Sequence, residues 1–336
     1  SALPLISYSE HDSGPYFTAG VFLARHPHTG VPNLSFHRAM YVGDGELRCR
    51  LGPSHDLAHY HAAAEKSGQP LEAVILLGPP PSLFVAGVMT LPPDGDEMEM
   101  AARIQQAPVE MRRCRHLDLL VPASTEIVIE GRFLPGERRP EGPFGEWMGY
   151  YTEETPNAVF EVLGVTRRRD AIFHSILCGS PEELTGEETA REGAVLSVLS
   201  ASIKGIKAVA CHLGAFYTVV QMATAYEGHS RQALLAAMAS VPRVGKYTIV
   251  VDEDVDPTKM DDVLWAMATR ADPQHDFIVV PDIPSVSRDP KRDHWSRVGI
   301  DATRPMGREH ELRRKRIPGE AGIDLRDYLR PPGSSR

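Results

Sequence analysis

Thr125-Glu-Ile-Val-Ile-Glu alternates polar and apolar side chains, the period of a strand with one wet face. That run extends to Phe133, and runs of similar β-type composition occupy residues 71–77, 83–90, 159–167 and 171–177. Gly and Pro separate them, so residues 18–177 are expected to be rich in strands. Helical patterns interrupt this stretch near residues 56–67 and 97–106. Beyond about Leu184 the texture changes. Residues 187–204 carry apolar positions near helical spacing, and residues 206–222 are apolar and β-branched around Gly214. Ser230 precedes a helix running to Ala239, residues 246–251 and 277–280 read as strands, and residues 257–270 read as a helix. Such alternation is the signature of an open βαβ layer. From Ile283 the chain turns Pro- and charge-rich, which predicts a surface arm and a frayed Pro331-Pro-Gly-Ser-Ser end. The expected class is α/β (α+β overall) in two domains, 1–183 and 184–316, with a tail over 317–336.

Composition narrows the function classes. The 336 residues and 37.0 kDa exceed one average domain of about 150 residues, and 42% hydrophobic with 24% charged residues is a globular balance. A net charge of −9 lacks the basic footprint of a nucleic-acid binder. Apolar stretches fall far short of the roughly 20 residues that cross a bilayer, and Ser1 opens no signal-peptide pattern, so a cytoplasmic protein is expected. Cys49, Cys114, Cys178 and Cys211 form no C-x-x-C pair and read as buried free thiols.

Three clusters could carry chemistry. Glu141-Gly-Pro-Phe-Gly-Glu146 places two carboxylates around a Gly-Pro-x-Gly turn. If their surroundings separate the two proton affinities, one can donate a proton while the other stays ionised; a solvated loop with two ordinary glutamates is the plain alternative. His55 and His59 stand four residues apart, a zinc spacing, but without the glutamate of H-E-x-x-H. Asp252-Glu-Asp-Val-Asp256 could ligate a hard cation, yet it precedes the helix expected from Pro257, where acidic residues suit the macrodipole. No G-x-G-x-x-G, Walker loop or G-x-S-x-G elbow is present.

Taken in order, Thr18-Ala-Gly-Val, Thr29-Gly-Val-Pro-Asn-Leu-Ser-Phe-His-Arg38, Pro53-Ser-His55, Pro92-Pro-Asp-Gly-Asp-Glu97 and Glu141-Gly-Pro-Phe-Gly-Glu146 resemble the UbiD family of reversible decarboxylases. The resemblance runs from about Tyr16 to Ile323-Asp-Leu-Arg-Asp-Tyr-Leu329. It implies a split β-barrel domain, like that of flavin reductases, that binds prenylated FMN, followed by an α/β domain that oligomerises. By the resemblance, Asn33, His55 and Glu97 hold Mn2+ against the cofactor phosphate, and the family often places K+ nearby. An amide oxygen, an imidazole and a carboxylate suit manganese, and the cation offsets the phosphate charge. The implied catalytic trio is Arg38, Glu141 and Glu146, with Glu146 as proton donor; Thr18, Ser35, Met89 and Arg297 are implied cofactor contacts. Arg297 stands where many relatives have a lysine.

The resemblance thus implies a lyase acting on an aromatic, heteroaromatic or α,β-unsaturated carboxylic acid, supplied with cofactor by a flavin prenyltransferase and forming a homodimer or higher oligomer. Relatives commonly begin with another α/β domain, whose place lies before Ser1. A non-catalytic or assembly subunit needing a partner chain for that domain is the alternative, and the full set of Arg38, Glu141, Glu146 and three metal ligands argues against it. An ordinary flavin reductase using unmodified FMN would need no such carboxylate pair.

Overall fold

A computed structural model describes residues 3–53, 55–89, 91, 95–214, 216–241, 245–283, 295–315, 317–319, 322–324 and 328. The chain forms β1 (Tyr16–Phe17), β2 (Val21–Arg25), β3 (Pro32–Phe36), β4 (Ala39–Gly43), β5 (Glu46–Cys49), α1 (Asp56–Lys66), β6 (Leu71–Leu77), α2 (Pro81–Ala86), α3 (Glu97–Gln105), β7 (Met111–Arg113), β8 (Leu120–Pro122) and β9 (Ile127–Glu141). Then come β10 (Phe144–Gly145), β11 (Tyr151–Thr152), β12 (Thr155–Arg167), α4 (Pro181–Ser202), β13 (Ile206–His212), β14 (Tyr217–Met222), α5 (His229–Ser240), β15 (Tyr247–Asp252), α6 (Met260–Arg270), β16 (Phe277–Pro281) and β17 (Ser296–Ala302).

β6 shows why the first sheet sits where it does. Leu71, Ala73, Ile75 and Leu77 enter one apolar core with Phe22, Phe133 and Phe160, covered by Leu57 and Ala64 of α1. Val74 and Leu76 enter a second core on the opposite face with Val21 and Leu23, covered by α2 and α3. A strand buried on both faces reads as a continuous apolar run, and each fully buried side chain contributes about 1.5–3 kcal/mol. The sheet order is β1-β4-β5-β12-β9-β6-β2-β3, antiparallel throughout. Among the described residues β1 and β3 are the outermost strands and do not pair with each other, Tyr16 of β1 being bridged instead by Ile6, so the eight strands do not close a barrel by hydrogen bonds.

The second sheet has the order β13-β14-β15-β17-β16. β14, β15 and β17 are parallel, as expected of the βαβ layer, whereas β13 and β16 flank them antiparallel. The mixed α/β class is therefore borne out.

Some expectations are corrected. The apolar run from residue 83 is helical, because Pro81 at the first turn of α2 starts a helix that buries Leu83 and Ala86 on one face; Thr90 lies outside the described residues. Residues 171–177 join no ladder: Ile172 N–H donates to Glu126, and Ile176 exchanges hydrogen bonds with the Thr18 hydroxyl. The expected surface arm contains β17, a central strand whose Ile300 and Ala302 are buried. Its polar positions misled the pattern: Arg297 donates to the Met238 carbonyl in the last turn of α5, and Asp301 accepts from Ser230 Oγ. Residues 284–294 and 331–335 lie outside the described residues. The helix expected from Pro257 begins at Met260, so Asp252 and Asp254 do not cap it; they bind Arg270 at 2.6 and 2.8 Å. All four cysteines are free, Cys49 and Cys211 buried, Cys114 and Cys178 half-buried. No helix among the described residues is long and apolar enough to cross a membrane.

Candidate active site

Arg38 lies between β3 and β4, and Glu141 closes β9. Pairing across the sheet brings them together. Arg38 Nε donates to Glu141 Oε1 at 2.8 Å and Nη2 to Oε2 at 2.9 Å, a bidentate fork, while Nη1 donates to Glu146 Oε1 at 2.5 Å. The Phe144 ring lies against the guanidinium, 4.8 Å from its centroid. Glu141 is wholly buried and receives two further hydrogen bonds, from the Tyr16 hydroxyl and from Asn157 Nδ2, each at 3.0 Å. Burial alone would lower the proton affinity of Arg38, but Glu141 and Glu146 outweigh it and hold the guanidinium above its ordinary value. Burial first, and the Glu141 charge with it, pushes the Tyr16 phenol well above its usual range.

The Gly-Pro-x-Gly turn is built for this presentation. Gly142 has φ +98°, and a Cβ there would lie 2.9 Å from the Glu153 carbonyl oxygen. Phe144 and Gly145 then pair with Thr152 and Tyr151, so Glu146 begins the loop of a small hairpin, its N–H donating to the Tyr150 carbonyl. Glu146 faces a cavity of about 180 Å³ whose walls include Thr18, His37, Arg38 and His55. The opposite wall comes from the second half of the chain, through Glu183, Glu187 and Arg191 of α4. Next to Glu146, Trp147 packs on Phe216, with ring centroids 5.2 Å apart, and on Gly214, where a Cβ would lie 2.7 Å from the indole.

The three expected metal ligands come from β3, the N-cap of α1 and the first residue of α3. Asn33 and Glu97 are buried. Asn33 Oδ1 accepts from Ser35 Oγ, and Glu97 Oε2 accepts from the Leu34 N–H. Burial, followed by the charges of Asp56 and Asp96, pushes the Glu97 carboxyl up to about 7. Among the described residues no arginine or lysine pairs with it. A buried carboxylate without a protein countercharge is the kind of group a divalent cation would stabilise, and an amide oxygen and an imidazole are donors that suit the same ion. Of the zinc-spaced pair, His55 occupies the N-cap position of α1 without a capping bond from its side chain, whereas His59 Nε2 meets the Pro53 carbonyl. Among the described residues no three His, Cys, Asp or Glu gather as a metal site.

Of the expected cofactor contacts, Thr18 lines the cavity, and Ser35 hydrogen-bonds Asn33 and His37 Nε2. Met89 lies just past α2, its N–H donating to the Ala86 carbonyl. Arg297 is not brought to the cavity wall; it is buried under α5. Sequence reasoning missed Tyr16, Asn157, Glu183 and Glu187. Nothing in the spacing of Tyr16 or Asn157 signals that both converge on Glu141, whereas the i, i+4 acids of α4 are visible in the sequence but carry no motif that assigns them a role.

Residues 1–181 match the family described as the 3-octaprenyl-4-hydroxybenzoate carboxy-lyase Rift-related domain, and residues 187–302 match that enzyme's C-terminal domain. The anhydromevalonate phosphate decarboxylase of Methanothermobacter thermautotrophicus is 33% identical over 320 residues, covering 94% of this chain and 75% of that protein. Among solved structures, the UbiD-class enzyme HmfF from Pelotomaculum thermopropionicum in complex with FMN superposes with a TM-score of 0.92 at 36% identity, covering 97% of this chain and 74% of that one. Apo 3,4-dihydroxybenzoic acid decarboxylase from Klebsiella pneumoniae gives 0.88 at 28% identity, over 97% of this chain and 72% of that one.

Proposed function

Because the chain belongs to the UbiD family of carboxy-lyases, we propose that it decarboxylates an aromatic, heteroaromatic or α,β-unsaturated carboxylic acid with the help of prenylated FMN. The observation that carries this reading is Arg38 forked onto the buried Glu141 while its other nitrogen holds Glu146 at the edge of the cavity. Prenylated FMN, when bound, supplies the electrophile that stabilises the electron pair left by departing carbon dioxide. The residues of the chain do the rest. Glu141 fixes the plane and direction of the Arg38 guanidinium, whose positive charge orients the substrate carboxylate. Glu146 is the acid that delivers a proton to the carbon that has lost carbon dioxide. Asn33, His55 and Glu97 would hold a divalent metal such as Mn2+, which would neutralise the cofactor phosphate, with Thr18 and Ser35 contributing polar contacts. Relatives named as decarboxylases of 3,4-dihydroxybenzoate, vanillate and anhydromevalonate phosphate support the class of reaction and leave the choice of acid open.

Coexpression with a flavin prenyltransferase tests the proposal. The purified protein should show the absorbance of a modified flavin and release carbon dioxide from at least one of 3,4-dihydroxybenzoate, vanillate, furan-2-carboxylate, cinnamate and anhydromevalonate phosphate. Protein that binds only unmodified FMN and releases no carbon dioxide from the panel would overturn it.

A further inference from the structure

An acid that protonates product once per turnover must be reloaded, and Glu146 is poorly placed to reload itself. Its side chain is 6% exposed, and after giving up its proton it is a carboxylate held by Arg38. Two further acids line the same cavity. Glu183 and Glu187 are four residues apart on α4, hence on one helix face, and both line the cavity that Glu146 enters. Glu183 is anchored: its Oε2 accepts the Gly179 N–H at 2.5 Å and its Oε1 faces Cys178 Sγ at 3.6 Å. Glu187 is 40% exposed at the side chain and meets Arg191 Nη2 at 3.4 Å. Glu146, Glu183 and Glu187 thus line one cavity, with Glu146 nearly buried and Glu187 partly exposed.

We propose that Glu183 returns the proton to Glu146 after each turnover, with Glu187 relaying it from solvent to Glu183. This rests on the decarboxylase reading of the site. In the step, the O–H bond of the Glu183 carboxyl breaks, directly or through a cavity water, and an O–H bond forms on the Glu146 carboxylate. Glu183 is left ionised and takes a proton from Glu187, which refills from water; no electron is transferred.

The plain reading of Glu183 is a helix cap, since it sits in the first turn of α4 and binds a backbone N–H. That position and that hydrogen bond favour a carboxylate. Yet burial, with the charges of Glu187 and Glu146, pushes its proton affinity above the ordinary glutamate value. The other groups facing it are Cys178, with Arg38, Arg50, Arg191, His37 and His55 on the same cavity.

Glu183→Gln keeps the cap, because an amide oxygen still accepts the Gly179 N–H, and removes the exchangeable proton. With whichever acid of the panel wild type accepts, rapid-quench kinetics on the holoenzyme should show a first turnover at the wild-type rate. Later turnovers should be about 10-fold slower or worse, a smaller loss than removal of the acid itself. Glu183→Asp or added small buffer acids should restore part of the steady-state rate. Equal slowing of the first and later turnovers, or no slowing, would overturn the relay while leaving the decarboxylase reading intact. A readout that needs no substrate is infrared titration: a protonated carboxyl band additional to that of Glu97, persisting above the ordinary glutamate range in wild type and lost from it in Glu183→Gln at unchanged melting temperature, supports the relay. Wild type without that band refutes it.

Discussion

Arg38 is shared between two carboxylates that are otherwise treated differently by the protein. Glu141 is fully enclosed and accepts from Arg38, Tyr16 and Asn157, whereas Glu146 is held by the outer nitrogen of Arg38 and keeps a face on the cavity. The first is built to hold the arginine in place, the second to meet what enters the cavity. Glu146→Gln should therefore keep the melting temperature and cofactor content near wild type and lower turnover by about 100-fold or more. Glu141→Gln should lower both stability and turnover in a graded way, because the amide weakens the fork on a buried cation. Arg38→Lys should be poor, since an ammonium cannot present two parallel donors. Steady-state kinetics beside thermal melts separates these outcomes, and wild-type turnover by Glu146→Gln with a dead Glu141→Gln would exchange the two roles. The carboxylate pair and its arginine were legible because their motifs are local and dense. Tyr16 and Asn157 were not, because a hydrogen bond across 125 residues leaves no mark in local spacing.

At the level of elements, long strands and well-capped helices were readable and polar central strands were not. β6 and α3 were found because one is apolar at every position but Glu72 and the other opens on Asp96, whose carboxylate accepts from the N–H groups of Met98 and Glu99. β17 escaped because Arg297 and Asp301 satisfy themselves inside the fold and so look like surface. The register of β9 against β12 is held by a residue that pattern reading passes over. Gly131 lies between register shifts, and a Cβ there would stand 2.3 Å from the Glu161 carbonyl oxygen and 2.4 Å from the Phe160 ring. Gly131→Ala should destabilise the fold by about 3 kcal/mol or more, at or beyond the usual range for overpacking. Because β9 ends at Glu141, any variant that survives should also bind cofactor poorly; a melting temperature within a degree or two of wild type would count against this reading.

On the scale of the whole molecule, Glu97 ties stability to pH and, on the proposed ligand assignment, to metal. The folded state holds its proton more tightly than the unfolded chain, from the ordinary 4.5 up to about 7. Between those values the folded form binds more protons, so stability falls as pH rises and the penalty is complete above about pH 7. Chelated protein should lose melting temperature across that window, and Mn2+ should flatten the curve by binding the carboxylate. Glu97→Ala should abolish the manganese response and the flavin content together; stoichiometric cofactor in that variant would refute the ligand assignment. Light scattering should give at least twice the 37.0 kDa chain mass, and a monomer at micromolar concentration would remove the expected dimer. The fork of Arg38 also constrains the order in which the protein is assembled. Its partners lie 103 and 108 residues further along the chain, so the ion pairs close long loops whose entropy must be met by strands already docked. A chain with native helices but β9 undocked would leave the Arg38 charge bare and take up no flavin. Cofactor uptake during refolding is thus a clock for the completion of the most distant strand pairings.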